Sequence, residues 1–496
     1  MSHRVPDWYR NAKLGIMVHW GLSSIPAFAP SGHGSIADIL AEHDWPFYFR
    51  NNPYSEWYLN SLRLKETATG TFHNRKFNRS YPYERLADRF NDDIKKWEPS
   101  DWAELFAEAG ARYVVLVAKH HDGFLLWPSD HKPKPEGYVA GRDVVGELGE
   151  AVRARNLRYG LYYSGLLDWT VQTEPIAEFG DLLNVQTDTA YATYVQHHFT
   201  ELITRHRPDI LWNDIGLPGG ISRRELFRLY RETVNEGVLN DRWMQISPLM
   251  QRMLTRPGLR RRIAETARKS LVGGESVGKL GDVPTAEYAK STRLRSEPWE
   301  VVRSIGNSFG YNEQESPEDY LTGDELVRML VDIVSKNGNL LLNVGPKSDG
   351  TIPREQRTPL LDLAAWLRVN GEAIYDTRPW HRAEGESGDG QPVRFTTRPD
   401  TLYAIVLERP RRLSLELPNL ELKRIPRPEP APGTEDELTV SLLGCELPIQ
   451  WRVSDRSVEI QLPGAFVPVG PMVVAFRWQP VDLRARPIEM YTDVIG

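Results

Sequence analysis

The sequence predicts a (β/α)8-like, TIM-type barrel followed by a C-terminal antiparallel β-sandwich domain, and three observations carry that expectation. Short apolar runs alternate with helical patterns from residue 14 to about 371, and strand–helix alternation on that scale builds a parallel sheet. All but the last of these runs deliver a His, Asp or aromatic residue at the C-terminal end, the rim from which barrel proteins assemble their sites. From about Thr377 the pattern becomes short alternating runs separated by Pro and Gly, as in an antiparallel domain. An open doubly wound sheet also binds ligands at strand ends, usually with a glycine-rich phosphate loop; no G-x-G-x-x-G follows a strand here. A chain of 496 residues exceeds one ordinary hydrophobic core. The expected division is a barrel over residues 1–376 and the sandwich over 377–496.

The elements follow in order. Leu14 to Val18 ends in His19-Trp20-Gly21, and Tyr113 to Ala118 ends in Lys119-His120-His121-Asp122-Gly123. Leu157 to Tyr163 ends in Ser164-Gly165, Ile210 to Trp212 in Asn213-Asp214, and Leu340 to Val344 in Gly345-Pro346. Between them, Trp102 to Ala109 reads as a helix capped by Asp101 and stopped by Gly110. Asp324 to Lys336 has Thr322 as its cap, and Pro353 opens a helix toward Gly371. In the second domain the strand-like runs are Pro392 to Glu408, Leu438 to Leu443, Ile449 to Leu462 and Met472 to Trp478. Lys423 to Glu437, rich in Pro and charge, reads as an exposed loop. Met250 to Lys269, with Arg260, Arg261 and Arg262 in a row, reads as a solvated helix or excursion rather than a binding site.

Composition narrows the class. A formal net charge of -6 gives no reason to expect a nucleic acid or an anionic membrane as partner. No stretch approaches the roughly 18 apolar residues of a membrane span, and no apolar h-region follows Met1, so the expectation is no signal peptide and a cytoplasmic protein. The single cysteine, Cys445, cannot form an internal disulfide. Of the 15 Trp and 20 Tyr, many crowd before residue 170; such rings either fill a large core or stack on the C–H faces of a sugar.

Hydrolysis of a glycosidic bond needs two carboxyl groups, roughly 5–5.5 Å apart when configuration is retained. One attacks the anomeric carbon; the other donates a proton to the leaving oxygen. Asp214, just past an apolar run, suits the first role, and Gly216, Pro218 and Gly219 behind it suit a turn that Asp214 would cap instead. Both readings stand. His120 and His121 are adjacent, and adjacent strand residues point to opposite faces, so they make a poor pair of ligands for one metal. No H-E-x-x-H or Cys cluster completes a metal site. With His19 also at a strand end, they read as hydrogen-bonding groups for hydroxyls, both turned inward where the chain bends.

A series of motifs then makes the chain recognisable. These are Lys13-Leu14-Gly15-Ile16-Met17-Val18-His19-Trp20-Gly21, Glu56-Trp57-Tyr58, Lys119-His120-His121-Asp122-Gly123-Phe124, and Tyr162-Tyr163-Ser164-Gly165-Leu166-Leu167-Asp168-Trp169. After them come Leu211-Trp212-Asn213-Asp214, Asn240-Asp241-Arg242-Trp243, Thr285-Ala286-Glu287-Tyr288, Ser308-Phe309-Gly310-Tyr311-Asn312 and Gly338-Asn339-Leu340-Leu341-Leu342-Asn343-Val344-Gly345-Pro346. In this order, across most of residues 8 to 380, the chain resembles the α-L-fucosidases of glycoside hydrolase family 29.

The resemblance implies retaining double displacement on terminal α-L-fucose of fucosylated oligosaccharides or glycoconjugates, without a cofactor or metal. Asp214 matches the family nucleophile and Glu287 the acid/base of the broad-specificity members. Glu56 matches a further active-site carboxylate. His19, His120, His121, Tyr163, Trp212 and Arg242 match positions that hold the sugar, and Trp57 and Phe309 match the pocket for the C6 methyl. Met17 stands where close relatives often carry an aromatic. The stretch from Trp243 to Gly281 is longer than expected between the arginine and acid/base motifs, which keeps Glu56 and Glu300 as alternative acids. Competing readings are a catalytically silent fucose-binding relative and another barrel exo-glycosidase such as an α-galactosidase, which would need polar groups where Trp57 and Phe309 stand. Homo-oligomerisation is left open.

Overall fold

The computed structural model describes residues 4–131, 135–185, 188–247, 252–254, 256–272, 280–288, 293–408, 413–417, 434–454, 457–465 and 467–482. By its internal contacts the chain forms two compact units, one of residues 1–326 with 337–364, the other of 327–336 with the chain from 365 onward.

The first unit is built on eight parallel strands: β1 (Leu14–Val18), β2 (Tyr113–Lys119), β3 (Arg158–Ser164), β4 (Ile210–Asp214), β5 (Val238–Leu239), β6 (Thr285–Glu287), β7 (Trp299–Ser304) and β8 (Gly338–Val344). They pair in the order β5-β4-β3-β2-β1-β8-β7-β6. The two ends of that ladder meet through the parallel bridges Asn240 to Val283 and Arg242 to Leu280, which close the barrel. β1, β2 and β8 are buried along their whole length, and a strand covered on both faces is a continuous apolar run rather than an alternation. Gly15 is required by this packing: a Cβ there would lie 2.2 Å from the Tyr113 ring.

Helix starts show where local chemistry prevailed. The expected cap Asp101 lies instead inside the first turn of helix Pro99–Glu108, which opens on Pro99. Proline at the first helical position lacks only an N–H that would be unpaired anyway, and its fixed φ suits the helix. Asp101 there interacts favourably with the helix N-terminus. Thr322 does cap its helix. Its Oγ1 accepts from Glu325 N at 3.3 Å, and Glu325 Oε2 accepts from Thr322 N at 2.8 Å.

The second unit contains β9 (Arg378–Glu386), β10 (Pro392–Arg398), β11 (Thr401–Val406), β12 (Leu413–Leu415), β13 (Thr434–Leu442), β14 (Gln450–Val453), β15 (Val458–Gln461) and β16 (Met472–Asp482). One antiparallel sheet has the order β13-β16-β11-β10-β9 and the other β12-β15-β14. Alternate residues such as Val393 and Phe395, Leu402 and Ala404, and Val474 and Phe476 face one apolar core, as a sandwich requires. Of the expected exposed loop, residues 423–433 lie outside the described residues, and Thr434–Glu437 open β13. Of the basic stretch, residues 250, 251 and 255 lie outside them. Residues 257–269 lie in helix Pro257–Val272, where Arg261 and Arg262 are exposed but Arg260 is engaged by Glu178 and Asp181. Among the described residues no helix is long and apolar enough to cross a membrane.

Candidate active site

Two carboxylates end two barrel strands: Asp214 closes β4 and Glu287 closes β6. Residues two apart on a strand share a face, so Trp212 and Asp214 project together. The β3–β4 register sets Tyr162 beside Trp212 and Ser164 beside Asp214. The Tyr162 and Trp212 rings stack at 5.3 Å, and Tyr162 Oη donates to Asp214 Oδ2 at 2.6 Å. Immediately after each carboxylate the backbone turns left-handed, at Ile215 (φ 61°) and Tyr288 (φ 50°). For a β-branched residue this is a real outlier, costing about 1–3 kcal/mol. It leads the chain off the strand directly behind the carboxylate.

Arg242 joins the two carboxylates. Its Nη1 donates to Asp214 Oδ1 at 2.9 Å and to Glu287 Oε1 at 2.6 Å, so the two acceptor oxygens stand no more than 5.5 Å apart. The guanidinium lies over the Trp212 ring, 4.7 Å from its centroid, and Nε donates to Thr285 Oγ1. Burial by itself would raise the pKa of Asp214. The Arg242 charge and the hydrogen bonds from Tyr162, Arg242 and Ile215 N–H outweigh it and hold the carboxyl below its ordinary value. Asp214 is therefore ionised although buried, the state that nucleophilic attack by a carboxylate requires.

Three neutral imidazoles face these groups. His19 Nδ1 lies 2.6 Å from Asn343 Oδ1. Asn343 spends its amide hydrogens on Ser304 Oγ and the Phe309 carbonyl, so His19 Nδ1 is the donor and Nε2 stays an acceptor. His121 Nδ1 lies 2.7 Å from Ser164 Oγ, whose own proton goes to the Leu167 carbonyl; its Nε2, 3.9 Å from Asp214 Oδ2, is again an acceptor. Burial lowers the His19 pKa to about 4 and that of His121 well below the ordinary value. His120, lowered by burial and by its two histidine neighbours, keeps a buried Nδ1 with no hydrogen-bond partner among the described residues. Just beyond the end of β2 the chain bends, and both adjacent histidines line the same cavity. Among the described residues no three His, Cys, Asp or Glu side chains group as metal ligands.

The alternative acids separate. Glu56 lines the cavity and accepts from Gly310 N at 2.8 Å. Burial, reinforced by nearby Glu287 and opposed by its backbone hydrogen bonds, raises its pKa to about 7. Glu300 sits near the start of β7, away from the rim. Its carboxylate accepts from Tyr9 Oη and Tyr113 Oη, each at 2.7 Å, and from Trp212 Nε1 at 3.2 Å. It anchors the indole on which Arg242 rests.

The cavity measures about 180 Å3, below the ~300–1,000 Å3 of sites for drug-sized ligands, and so suits one small ring. Trp57, Phe309 and Met17 form part of its wall, with His19, Glu56, His120, His121, Trp212, Asp214, Arg242 and Glu287 also lining it. Tyr163 does not line it. Its Oη is 2.9 Å from His198 Nδ1, and Lys119 Nζ lies over its ring at 4.8 Å. The inward tyrosine is its neighbour Tyr162, because strand residues alternate faces and both faces of β3 are buried. The sequence reading also passed over Trp45, Tyr48 and Tyr54, which line the cavity; the crowding of aromatics before residue 170 was their only signal.

The model of the α-L-fucosidase family matches residues 1–372. The chain belongs to the α-L-fucosidase family. Family relatives include an α-L-fucosidase of Dictyostelium discoideum, 31% identical over 82% of this chain and 79% of the relative. The tissue α-L-fucosidase of Rattus norvegicus is 30% identical over 96% and 89%. Among solved fucosidase structures, Thermotoga maritima α-fucosidase in complex with fucose superposes with a TM-score of 0.76 at 35% identity, covering 96% of this chain and 97% of that one. The same enzyme in complex with a mechanism-based inhibitor gives the same score, identity and coverage.

Proposed function

We propose that the protein is an exo-acting, retaining α-L-fucosidase that releases terminal α-L-fucose from fucosylated oligosaccharides or glycoconjugates, with Asp214 as nucleophile and Glu287 as acid/base. The observation that carries this reading is the shared Arg242 nitrogen, which limits the two carboxylate oxygens to 5.5 Å. Retaining glycosidases use a spacing of about 5–5.5 Å, and inverting ones a wider gap that admits water. In the first step an Asp214 oxygen bonds to the anomeric carbon as the glycosidic C–O bond breaks, and Glu287 gives its proton to the departing oxygen. In the second, Glu287 takes a proton from water as the water oxygen displaces Asp214.

His19 Nε2 and His121 Nε2 offer lone pairs to sugar hydroxyls without adding positive charge. Such bonds strengthen as charge develops on the ring, so they serve rate as well as binding. The Trp57, Phe309 and Met17 wall is largely apolar and suits the C6 methyl of a 6-deoxy sugar; the Trp57 indole N–H is the one strong hydrogen-bonding group those three side chains could offer a galactose C6 hydroxyl. The test is cleavage of 4-nitrophenyl α-L-fucoside beside the α-D-galactoside and the β-D-fucoside, with the first-formed anomer followed by proton NMR. Selective cleavage with α-fucose appearing first is expected. β-Fucose appearing first would overturn retention, and no cleavage would overturn the activity.

A further inference from the structure

We infer that the leaving-group side of this site is an apolar trough to which the inserted helix Pro257–Val272 contributes Leu271, and that the enzyme favours fucosides of alkyl or aryl aglycones over those of a second sugar, which narrows the substrate class proposed above; the inference rests on the fucosidase reading. A second cavity of about 180 Å3 adjoins the first and shares with it the charged Asp214, Arg242 and Glu287 and the apolar Phe179, Leu182, Ile215 and Leu271. A proton donor must stand beside the oxygen that joins sugar to aglycone. The aglycone therefore begins at Glu287 and runs into this second space.

Beyond the shared charged trio the described lining is apolar, supplied mainly by Phe179, Leu182, Leu183, Met244, Ile246 and Leu271, with Thr285 as the one uncharged polar side chain among the described residues. Met244 is 48% exposed, a large apolar side chain left for an occupant to cover. A second hexose would bring several hydroxyls to a wall with few partners, and an unpaired buried hydroxyl is unfavourable.

The insertion is fixed in place by specific bonds. Arg260 Nη2 donates to Glu178 Oε1 at 3.1 Å and Asp181 Oδ1 at 3.5 Å, the two residues whose reciprocal bonds cap the helix Phe179–Leu183. Gly180 makes room for that guanidinium, since a Cβ there would lie 2.4 Å from Arg260 Nη2. Farther along, Trp45 Nε1 donates to the Ala264 carbonyl at 3.0 Å and Arg268 Nη1 to the Leu40 carbonyl at 2.7 Å. These ties hold Leu271 against the trough. Arg260 thus positions a wall of the trough, in place of the solvated role its basic neighbours suggested.

The experiment compares kcat/KM for methyl and n-hexyl α-L-fucoside, whose leaving alcohols are close in basicity, so the bond-breaking step is matched. Each fully buried methylene is worth about fourfold; partial burial of the five extra ones should favour the hexyl glycoside by roughly 10- to 100-fold. In Met244→Ser that ratio should fall at least about threefold, and using the ratio cancels any loss common to both substrates. Cleavage of both glycosides with a ratio near one would overturn the trough while leaving the fucosidase reading intact. An unchanged ratio in Met244→Ser would overturn its placement. No cleavage of either, nor of the 4-nitrophenyl fucoside, would overturn both readings.

Discussion

Replacing Arg242 by Met keeps much of the apolar stem and removes the charge that joins Asp214 to Glu287. At 2.9 Å and an effective dielectric of about 20, the Arg242–Asp214 attraction has a ceiling of ~6 kcal/mol. Desolvation of both groups offsets much of it. A hydrogen bond to a charged group contributes about 1.5–3 kcal/mol net. Loss of one such bond at the transition state lowers kcat/KM by roughly 10- to 150-fold. The pH profile carries the sharper signal. With Arg242 present Asp214 ionises below its ordinary pKa; without it, burial, already the largest single influence, is opposed only by the bonds from Tyr162 and the Ile215 N–H, and that pKa rises. The nucleophile is then ionised only at higher pH, and the acid limb of kcat/KM moves upward. The assay is kcat/KM against pH on 4-nitrophenyl α-L-fucoside for both proteins. A fall in rate with an unmoved acid limb would refute the argument that Arg242 sets the charge of Asp214.

Glu56 makes a prediction about stability. Its folded pKa of about 7 lies above the ordinary 4.5, so the folded state binds its proton more tightly. Stability from this group is complete below 4.5 and is lost as pH rises toward 7, by about 3 kcal/mol. Glu56→Gln should melt near the wild-type Tm at pH 4.5 and above it at pH 8; equal Tm values at pH 8 would sink the assignment. Glu287→Gln should lose about 10²–10⁴-fold on a poor alkyl leaving group and far less on 2,4-dinitrophenyl fucoside. If Glu56→Gln shows that dependence instead, Glu56 is the acid. Tyr162→Phe removes the bond to Asp214 and should lower kcat by about tenfold or more, whereas Tyr163→Phe should leave kcat unchanged and cost about 1 kcal/mol of stability, read by denaturant unfolding. Equal kinetic effects of the two would contradict the orientation of β3.

The sequence by itself determined the barrel class, the change to a sandwich, and the identity of most rim residues. β1, β2, β3, β4 and β8 were legible because a strand buried on both faces is a continuous apolar run, and the side chain that ends it is fixed by chain position alone. β5 and β6 have two and three residues, too few for any periodicity. β7 carries Glu300 and Arg303 within its six residues, so all three were missed. Which of Tyr162 and Tyr163 faces the cavity was not legible either, because both sides of a barrel strand are apolar and only the register of β3 against β4 chooses. The same holds for Arg242 between Asp214 and Glu287, and for Arg260 between Glu178 and Asp181. These contacts span 28, 45, 82 and 79 positions of sequence. Closure of the barrel and docking of the insertion bring them together, and local pattern carries no information about such distances.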